Sequence, residues 1–498
     1  MSNCGTSFRI PEAIQTPDST GATGGEMTAS QDQVPLFHFD TRTFLGGRRP
    51  SRDERRALGV AARKAVPVAE LARVPEASQR ADTLSILRAQ DASREQSLVP
   101  LRYERMAVSA FTFLRGSAAV MAHDLSLVSS SGVRVQLCGD AHVANFGMFA
   151  SAERTLVFDI NDFDETLPGS FDWDVRRLAA SAAVGVLDQG GSKKKARKAA
   201  KAAATAYRTV MAALSQMPTL DVWNLKVNAD YLMSRFEGGD FRKATQRAID
   251  KSKRSTSATA ASKLTERVNG HQRFRNDPPL LVRLSEEDHG TWIDRIAPAY
   301  DQYLKTLPPD RVALLSHYSF VDMAHKVVGV GSVGTRAFVM LLESGDGEPL
   351  VLQIKQAMES VLEKYQGKSE FDNHGERVVV GQRVMQTTGD PLLGWVKSSG
   401  AEGLDFYVRQ LKDLKGSIDM TRLDADGFVD YARVCGATMA RSHARVGDSS
   451  MVTGYLGEDE SFDEAIAEFA MGYVKITDLD HGALLAWLAT DDKTQERL

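Results

Sequence analysis

The alternation of apolar and polar positions divides the chain into stretches with different predicted structures. Residues 1–40 are rich in Ser, Thr, Gly, Gln and Pro and lack a periodic apolar pattern, which predicts a disordered leader. Helical patterns predominate in 41–319 and again in 414–498. Residues 320–413 contain several short apolar runs that are typical of strands. The pattern therefore predicts an α+β protein.

An acidic stretch lies around two short predicted strands. Val133 to Leu137 and Thr155 to Ile160 are rich in β-branched and aromatic residues, and polar residues follow each of them. The segment from Leu137 to Asp174 combines several aspartates with a histidine and two asparagines. Such a group is costly to bury without partners, so we expect a functional site where the carboxylates converge from adjacent strand ends.

The spacing of these side chains indicates phosphoryl transfer. Asp140 follows the first strand, Asn145 comes five residues later, and Asp159 and Asp162 lie at the end of the second strand. An aspartate that orients a hydroxyl, with an asparagine and another aspartate that hold Mg²⁺, is the minimum set for this chemistry. The alternative is that the acids only form caps, turns and salt bridges, although capping does not require so many of them.

Three motifs resemble those of small-molecule kinases of the aminoglycoside phosphotransferase and choline kinase type. They are a G-D-x-H-x-x-N catalytic loop, a metal-binding segment and the start of the next helix: Gly139 to Asn145 (GDAHVAN), Asp162 to Asp164 (DFD) and Asp174 to Ala179 (DVRRLA). One position departs from the pattern, because Cys138 stands where these kinases often have His. From about residue 40 onward, the chain also resembles an uncharacterised bacterial family of unknown function that is grouped with kinase-like folds.

The kinase resemblance implies roles for individual residues. Asp140 and Asn145 would be catalytic, and Asn145 would bind the metal together with Asp162 or Asp159. The distance to Asp174 favours Asp162 for the metal. His142 is more typical of a structural hydrogen-bonding residue. Among the arginines before the acidic stretch, Arg102, Arg105 and Arg115, the last is the best candidate to bind phosphate.

A second group of motifs lies in the strand-rich stretch. Its G-x-G-x-x-G pattern, with Gly329, Gly331, Ser332 and Gly334, lies between two predicted strands, Lys326 to Val330 and Thr335 to Glu343. With 39 glycines in the chain, the pattern alone is a weak signal. A dinucleotide-binding fingerprint is disfavoured, because those glycines would have to open a helix rather than a strand.

The residues after the glycines strengthen the kinase resemblance. Pro349 to Gln356 alternates as a half-buried strand and carries Lys355 near its end, which resembles the strand lysine that binds ATP phosphates in kinases. A helix over His374 to Thr388 and strands over Leu392 to Lys397 and Asp405 to Asp413 would complete a lobe with five strands and one helix. Glu376 is the first candidate to pair with Lys355, and the competitors are Glu359 and Glu363.

The order of these parts implies a circular permutation, because the glycine-rich lobe of ordinary kinases precedes the catalytic loop. We therefore expect a protein-kinase-like two-lobe fold with a helix-rich large lobe over 41–319, a small lobe over 320–413 and C-terminal helices over 414–498 that return to the large lobe. Within the large lobe, residues 220–290 are predicted to form a lid or a substrate-recognition insertion. For His443 and Arg445, near the end of a predicted C-terminal helix, a structural role is favoured over the alternative that they reach the site.

The expected activity is an ATP- and Mg²⁺-dependent phosphotransferase acting on a small-molecule hydroxyl acceptor or, as a lesser alternative, a protein. Two further hypotheses remain open, namely an AMP transferase on the same fold and a catalytically silent nucleotide-binding regulator. Net charge of −4 and a pI near 6.2 argue against nucleic acid as a partner. Three scattered cysteines, no apolar run long enough for a bilayer and no signal-peptide core predict a cytoplasmic protein without disulfides, zinc or membrane contact.

Overall fold

The computed structural model describes residues 41–235, 239–269, 271–283, 289–329, 331, 333–398, 403–411 and 414–495. The predicted leader over 1–40 lies outside these residues. The described chain is a mixed α+β protein, as the sequence predicts. Among the described residues, no helix is both long and apolar enough to cross a membrane.

Helices make up most of the described chain. The first eight are α1 (Thr41–Gly46), α2 (Arg52–Ala65), α3 (Thr83–Asp91), α4 (Val99–Ala107), α5 (Ala110–Gly116), α6 (Ala118–Ser126), α7 (Asp172–Asp188) and α8 (Lys193–Leu214). Six more follow α8 along the chain: α9 (Thr219–Asn224), α10 (Ala229–Arg235), α11 (Gly239–Lys253), α12 (Ser257–Leu264), α13 (His289–Lys305) and α14 (Pro309–Leu315). The last five are α15 (Glu363–Gln366), α16 (His374–Met385), α17 (Ala425–Val446), α18 (Ser449–Leu456) and α19 (Ser461–Gln495).

The strands form one larger sheet and three two-stranded ribbons. The strands of the ribbons are β1 (Arg134–Leu137), β2 (Phe146–Ala150), β3 (Leu156–Ile160), β4 (Leu167–Ser170), β5 (Thr265–Val268) and β6 (His271–Phe274). The larger sheet contains β7 (Leu281–Arg283), β8 (Tyr318–Lys326), β9 (Ala337–Ser344), β10 (Pro349–Ala357), β11 (Gly394–Lys397) and β12 (Asp405–Gln410), in the order β11-β12-β10-β9-β8-β7. All of its neighbouring strands are antiparallel.

The helical core is built around α7, α8 and α17. One face of α8 is lined with buried alanines, so neighbouring helices can approach closely. Gly436 of α17 is required at one such approach, because a Cβ atom there would lie 2.1 Å from the backbone oxygen of Ala203. This packing places the start of α7 and the C-terminal half of α17 beside the loop that follows β1.

The two faces of the larger sheet differ in polarity because side chains alternate along each strand. On β10, Leu352 and Ile354 belong to an apolar cluster that also contains residues of α13. The opposite face of β10 carries Gln353 and Lys355, which lie across from Arg409 and Tyr407 of β12. This buried polar face is turned toward the acidic stretch, since Lys355 contacts it directly.

Two details of the predicted strand pairing are wrong. The predicted strands around the acidic stretch exist as β1 and β3, but β1 pairs with β4 and β3 pairs with β2. Their ends are brought together by the loops and not by a shared sheet. The larger sheet contains four of the five strands predicted in 320–413, as β9 to β12, whereas β8 spans Tyr318–Lys326 in place of the predicted Lys326 to Val330. A sixth strand, β7, comes from the segment before α13.

Candidate functional site

One cavity is lined by residues from both groups of motifs. From the acidic stretch come Asp140, Asn145, Asp162 and Asp164, and from the glycine-rich stretch come Gly329 and Gly331. The predicted meeting of these two segments, which are almost 200 residues apart in sequence, is confirmed by a direct contact between Lys355 and Asp164. The cavity volume of about 110 Å³ is smaller than the several hundred cubic ångströms typical of small-molecule sites. A whole nucleotide therefore needs a more open cleft.

Asp140 lies in the loop after β1 and is held by the helical core. Its carboxylate forms an ion pair with Arg177 of α7, and His142 Nε2 lies 3.7 Å from its Oδ2 atom. Burial raises the pKa of Asp140, and the charge of Arg177 opposes this shift. Asn145 Nδ2 donates a hydrogen bond of 2.6 Å to the Asp140 backbone oxygen, which fixes the two predicted catalytic residues relative to each other.

Asp174 holds the backbone of this loop. Its carboxylate accepts hydrogen bonds from the amides of Cys138 at 2.8 Å and Gly139 at 3.0 Å. Gly139 has a φ of +85°, and a Cβ atom there would lie 2.1 Å from the backbone oxygen of Glu165, so the turn requires glycine. The conformation that presents Asp140 is therefore set by the backbone as well as by Arg177.

His443 of α17 contacts the Asp174 carboxylate and the Tyr207 hydroxyl. Its Nε2 atom lies 3.1 Å from Asp174 Oδ2, and its Nδ1 atom lies 2.9 Å from the Tyr207 hydroxyl. An ionised carboxylate only accepts hydrogen bonds, so Nε2 donates to Asp174 and, in the neutral ring, Nδ1 accepts from Tyr207. The predicted structural role of His443 is thereby confirmed.

The two aspartates proposed for the metal have different surroundings. Asp162 lines the cavity after the end of β3, and burial together with the neighbouring Asp164 raises its pKa. Asp159, inside β3, forms a buried ion pair with Arg441 of α17 and does not line the cavity. Of the two aspartates, only Asp162 therefore offers a carboxylate to the cavity, because that of Asp159 is paired on the side of β3 that packs against α17.

Lys355 reaches the acidic stretch from β10. Its Nζ atom bonds the Asp164 carboxylate, which also accepts a hydrogen bond of 2.8 Å from the Tyr407 hydroxyl. Burial opposes ionisation of Asp164, yet the charge of Lys355 and these hydrogen bonds lower its pKa. Burial likewise opposes the charge on Lys355, yet Asp162 and Asp164 hold its pKa above the ordinary value.

The predicted glutamate partner of Lys355 is wrong. Among the described residues, Lys355 is ion-paired with Asp164 and with no glutamate. Glu376 lies in the first turn of α16, where the Asn373 side chain accepts from its amide, and no contact joins its carboxylate to Lys355. Glu363 accepts from the Ser360 amide at 3.1 Å and lies 3.7 Å from Arg377, whereas Glu359 lines the cavity. An aspartate on the acidic stretch itself replaces the expected helix glutamate.

The glycine-rich segment forms the loop between β8 and β9, which pair antiparallel, so the predicted hairpin is confirmed. The strand predicted over Lys326 to Val330 is wrong, because β8 ends at Lys326 and 327–329 are not part of a strand. Val330 lies outside the described residues. Ser332 lies outside the described residues. Gly331 approaches the opposite wall of the cavity closely, because a Cβ atom there would lie 3.2 Å from the backbone oxygen of Arg115.

Residues before α4 and within it hold the loop in place. The Arg94 guanidinium donates to the Val333 oxygen at 2.6 Å, and the Glu95 amide donates to the Gly334 oxygen at 2.8 Å. The Arg105 guanidinium donates to the oxygen of Gly329. These three contacts close the glycine-rich loop over the cavity.

The three arginines singled out in the sequence have different roles. Arg115 lines the cavity, and its buried Nε atom has no partner in the described part of the chain. Burial lowers the pKa of Arg115, while the charges of Asp140 and Asp162 act to raise it. Arg102 instead bonds Asp91 at 2.7 Å and is structural, and Arg105 serves the loop contact described above. Of these three arginines, Arg115 is thus the one that has unused hydrogen-bonding capacity at the cavity.

Several residues that line the cavity or lie beside its acids were not assigned a role from the sequence. Asp164 was visible as the last residue of DFD, and Tyr407 and Arg409 follow the same alternation on β12 that places Lys355 on β10. Glu165 lines the cavity and its pKa is raised to about 7, chiefly by burial. Its Oε2 atom accepts a hydrogen bond of 2.7 Å from the Val361 amide. No sequence pattern distinguishes Glu165 from an ordinary surface glutamate.

The oxygen atoms of the cavity suit a hard divalent cation. Within the described ranges, no group of three or more His, Cys, Asp or Glu side chains is arranged to hold a metal ion. Asn145, Asp162 and Asp164 nevertheless offer one amide and two carboxylates at one wall. Mg²⁺ typically takes only one or two protein carboxylates and completes its shell with water and substrate phosphates, so this set fits Mg²⁺.

Comparison with known proteins identifies one family. A family model described as an uncharacterised protein conserved in bacteria (DUF2252) matches residues 94–486. No curated protein matches the chain. No solved structure matches it either.

Proposed function

The chain belongs to the DUF2252 family of uncharacterised proteins conserved in bacteria, and we propose that it is an Mg²⁺- and ATP-dependent phosphotransferase with a circularly permuted, protein-kinase-like two-lobe fold. The acceptor is a hydroxyl group on a small molecule. The larger sheet and its glycine-rich loop correspond to the nucleotide-binding lobe, and the helical core with the acidic stretch corresponds to the catalytic lobe. Asp140, Asn145, Asp162 and Lys355 are the residues on which this proposal depends.

The observation that carries the proposal is the contact between Lys355 and Asp164, which are 191 residues apart in the chain. Phosphoryl transfer depends on positioning and charge stabilisation, so the cations that hold phosphates have to lie beside the acids that hold metal. In this protein a glycine-rich hairpin and an Asp-Asn-Asp set line one small cavity, and a buried strand lysine contacts Asp164, which also lines it. A purely structural cluster of acids does not require a glycine-rich loop over it.

Each side chain then has a defined part in the reaction. Asp140 accepts a hydrogen bond from the acceptor hydroxyl and takes its proton as the oxygen attacks the γ-phosphorus of ATP. The new oxygen–phosphorus bond replaces the bond from the γ-phosphorus to the bridging oxygen, and ADP leaves with that electron pair. Arg115 and Lys355 neutralise phosphate oxygens. Asn145, Asp162 and Asp164 would hold Mg²⁺, which supplies charge neutralisation between the phosphates.

Nucleotide binding requires the glycine-rich loop to move away from the acidic stretch, because the cavity is too small for ATP. The contacts of the loop with Arg94 and Arg105 are hydrogen bonds to backbone oxygens, each of which can be exchanged for water at small net cost. Lys355 also has to exchange part of its interaction with Asp164 for the phosphates. Both changes involve polar contacts and leave the apolar cores intact.

Calorimetry with ATP in the presence and absence of Mg²⁺ tests the proposal. The wild-type protein should bind ATP in a Mg²⁺-dependent way, Lys355→Ala should weaken binding, and Asp162→Asn should remove the Mg²⁺ dependence. Lys397→Ala is the matched control, because Lys397 is an exposed lysine on β11 of the same sheet. A wild-type protein that binds no nucleotide would remove the basis of the proposal.

Transfer is tested separately with metabolite pools and ATP labelled at the γ-phosphate. Asp140→Asn should leave ATP affinity nearly unchanged and lower the transfer rate by about 10²- to 10⁴-fold, which is the usual contribution of a general base. Mass spectrometry of the product distinguishes a phosphoryl group from an AMP group. Near-normal turnover by Asp140→Asn would exclude the role given to this residue.

A further inference from the structure

A second cavity lies beside Asn161, the residue that precedes Asp162. Its volume is about 510 Å³, and it is lined by the end of α11, one side of α12 and residues 415–417. Its lining includes four basic residues and no carboxylate: Lys251, Arg254, Lys263 and Lys415. Hydroxyl residues complete the polar part of the wall: Ser255, Thr259 and Ser417. We refer to it as the basic cavity.

Backbone hydrogen bonds join the residues that line the basic cavity to elements that carry the candidate active site. Gly416 and Met148 of β2 exchange backbone hydrogen bonds of 2.7 and 2.9 Å. The amide of Asn161 donates a hydrogen bond of 2.7 Å to the backbone oxygen of Asn145. Asn161 lines the basic cavity, and the next residue, Asp162, lines the cavity of the candidate active site, which we call the acidic cavity. Consecutive residues therefore line the two cavities.

The four cations of the basic cavity have no side-chain partner among the described residues, and they differ from the likewise unpaired Lys253 in lining one concave surface together. Lys243, also on α11, pairs with Asp240 at 3.2 Å, and Lys226 pairs with Glu153 at 3.2 Å. The chain has 65 acidic and 61 basic residues, so carboxylate partners are not scarce. A concave wall with four unpaired cations therefore calls for an anionic ligand.

Lys415 is the least exposed of the four basic residues, whereas Lys251, Arg254 and Lys263 are exposed. Burial lowers its pKa to about 7, and the nearby charge of Arg409 acts in the same direction. Asp162 and Asp390 oppose the shift and do not overcome it.

We propose that the basic cavity binds a phosphate group of the acceptor, so that the enzyme phosphorylates small hydroxyl compounds that already carry a phosphate. The identification of the ligand as an acceptor rests on the proposed phosphotransferase function, whereas the binding of an anion in the basic cavity does not. A phosphate dianion offers three strong acceptor oxygens, which matches several converging cationic and hydroxyl donors better than a single carboxylate does. The segment predicted to recognise substrate, 220–290, supplies three of the four cations.

Calorimetry with inorganic pyrophosphate tests the site directly. The full-length protein is first saturated with Mg²⁺ and a non-hydrolysable ATP analogue, so that the acidic cavity is blocked. The double variant Arg254→Gln/Lys263→Gln should lower pyrophosphate affinity by at least about ten-fold, as expected from the loss of charge-assisted hydrogen bonds. Lys253→Gln is the matched control, because Lys253 is exposed on α11 and does not line the cavity, and its effect should stay within about two-fold.

Three results would overturn the inference. An equal loss of affinity in Lys253→Gln would mean that diffuse surface charge binds the anion. Loss in Arg115→Ala but not in the double variant would place the anion in the acidic cavity. Much tighter, strongly salt-dependent binding of a short single-stranded RNA at the same residues would identify a polymer site and not a small acceptor.

The transfer assay separates this inference from the proposed function. A metabolite extract is divided by anion exchange into anionic and neutral fractions, and label from γ-labelled ATP should enter compounds of the anionic fraction, at least about ten-fold less in the double variant. Equal transfer to the neutral fraction would overturn the acceptor class. If wild-type protein binds no nucleotide while pyrophosphate binding still depends on Arg254 and Lys263, the phosphotransferase proposal fails and the anion site stands.

Discussion

A double-mutant cycle on Lys355 and Asp164 measures whether the two halves of the site meet in solution. The variants are Lys355→Met, Asp164→Asn and both together, and the free energy of unfolding is measured in urea with a chelator present. Removing one member of a buried ion pair leaves the other charge uncompensated and typically costs about 3–5 kcal/mol. Removing both members avoids that cost, so the double variant should be more stable than the sum of the single effects predicts.

The burial of the two side chains sets the expected magnitude. The Lys355 side chain is 3% exposed, but that of Asp164 is 27% exposed to the cavity. Water can therefore partly solvate Asp164 when Lys355 is removed, which places the cost of Lys355→Met near about 3 kcal/mol, the lower end of the usual range. Asp162 remains beside Lys355 in Asp164→Asn, so that variant should lose less. We expect a coupling energy of about 2 kcal/mol between the two residues.

Circular dichroism and fluorescence transitions that coincide would justify the use of a single unfolding free energy. Lys397→Met is the control, because this exposed lysine on β11 should change stability by no more than about 0.5 kcal/mol. If the effects of Lys355→Met and Asp164→Asn simply add, within about 0.5 kcal/mol, the two side chains do not interact in solution. The shared cavity, and with it the argument for phosphoryl transfer, would then be refuted.

Two other predictions use the same unfolding assay. Asp159→Asn should destabilise the protein by about 3 kcal/mol, because Arg441 and Asp159 form a buried ion pair in which the side chains are 2% and 4% exposed. ATP affinity should not change, because neither residue lines the cavity. Weaker ATP binding would contradict this placement. Folded Glu165, with its pKa raised to about 7 from 4.5, retains a proton that the unfolded chain has released, so its contribution to stability falls as pH rises between those values. Glu165→Gln should therefore gain up to about 2 kcal/mol relative to wild type from pH 5.5 to pH 8, and parallel pH profiles would show that Glu165 titrates normally.

The alternation of side chains was enough to predict the face of β10 that carries Lys355, but not the partner of Lys355. Strand and helix periodicities fix which residues share a face, and for this reason the hairpin, β10 and α16 were recognisable in the sequence. The pairing of β1 with β4, and of β2 with β3, depends on the loops between them, whose conformations rest on local details such as the positive φ of Gly139. The choice between Asp159 and Asp162 depended on Arg441, which is almost 300 residues away in sequence. Long-range partners of this kind leave no local pattern.

The acids of the candidate active site are paired with its cations, and this pairing affects how ATP and Mg²⁺ would bind. Asp140 is already paired with Arg177 and Asp164 with Lys355, so the acids and cations of the site largely neutralise each other. A triphosphate entering alone would compete with Asp164 for Lys355 and leave carboxylates facing phosphates. Mg²⁺ entering alone would lie beside Lys355 and Arg115 without an anion to compensate it. When ATP and Mg²⁺ bind together, the metal contacts the carboxylates and the cations contact the phosphates. Each ligand then removes a repulsion that the other would meet if it bound alone. Binding of ATP and Mg²⁺ at this site would therefore be strongly coupled, and by linkage each would raise the affinity for the other by the same factor.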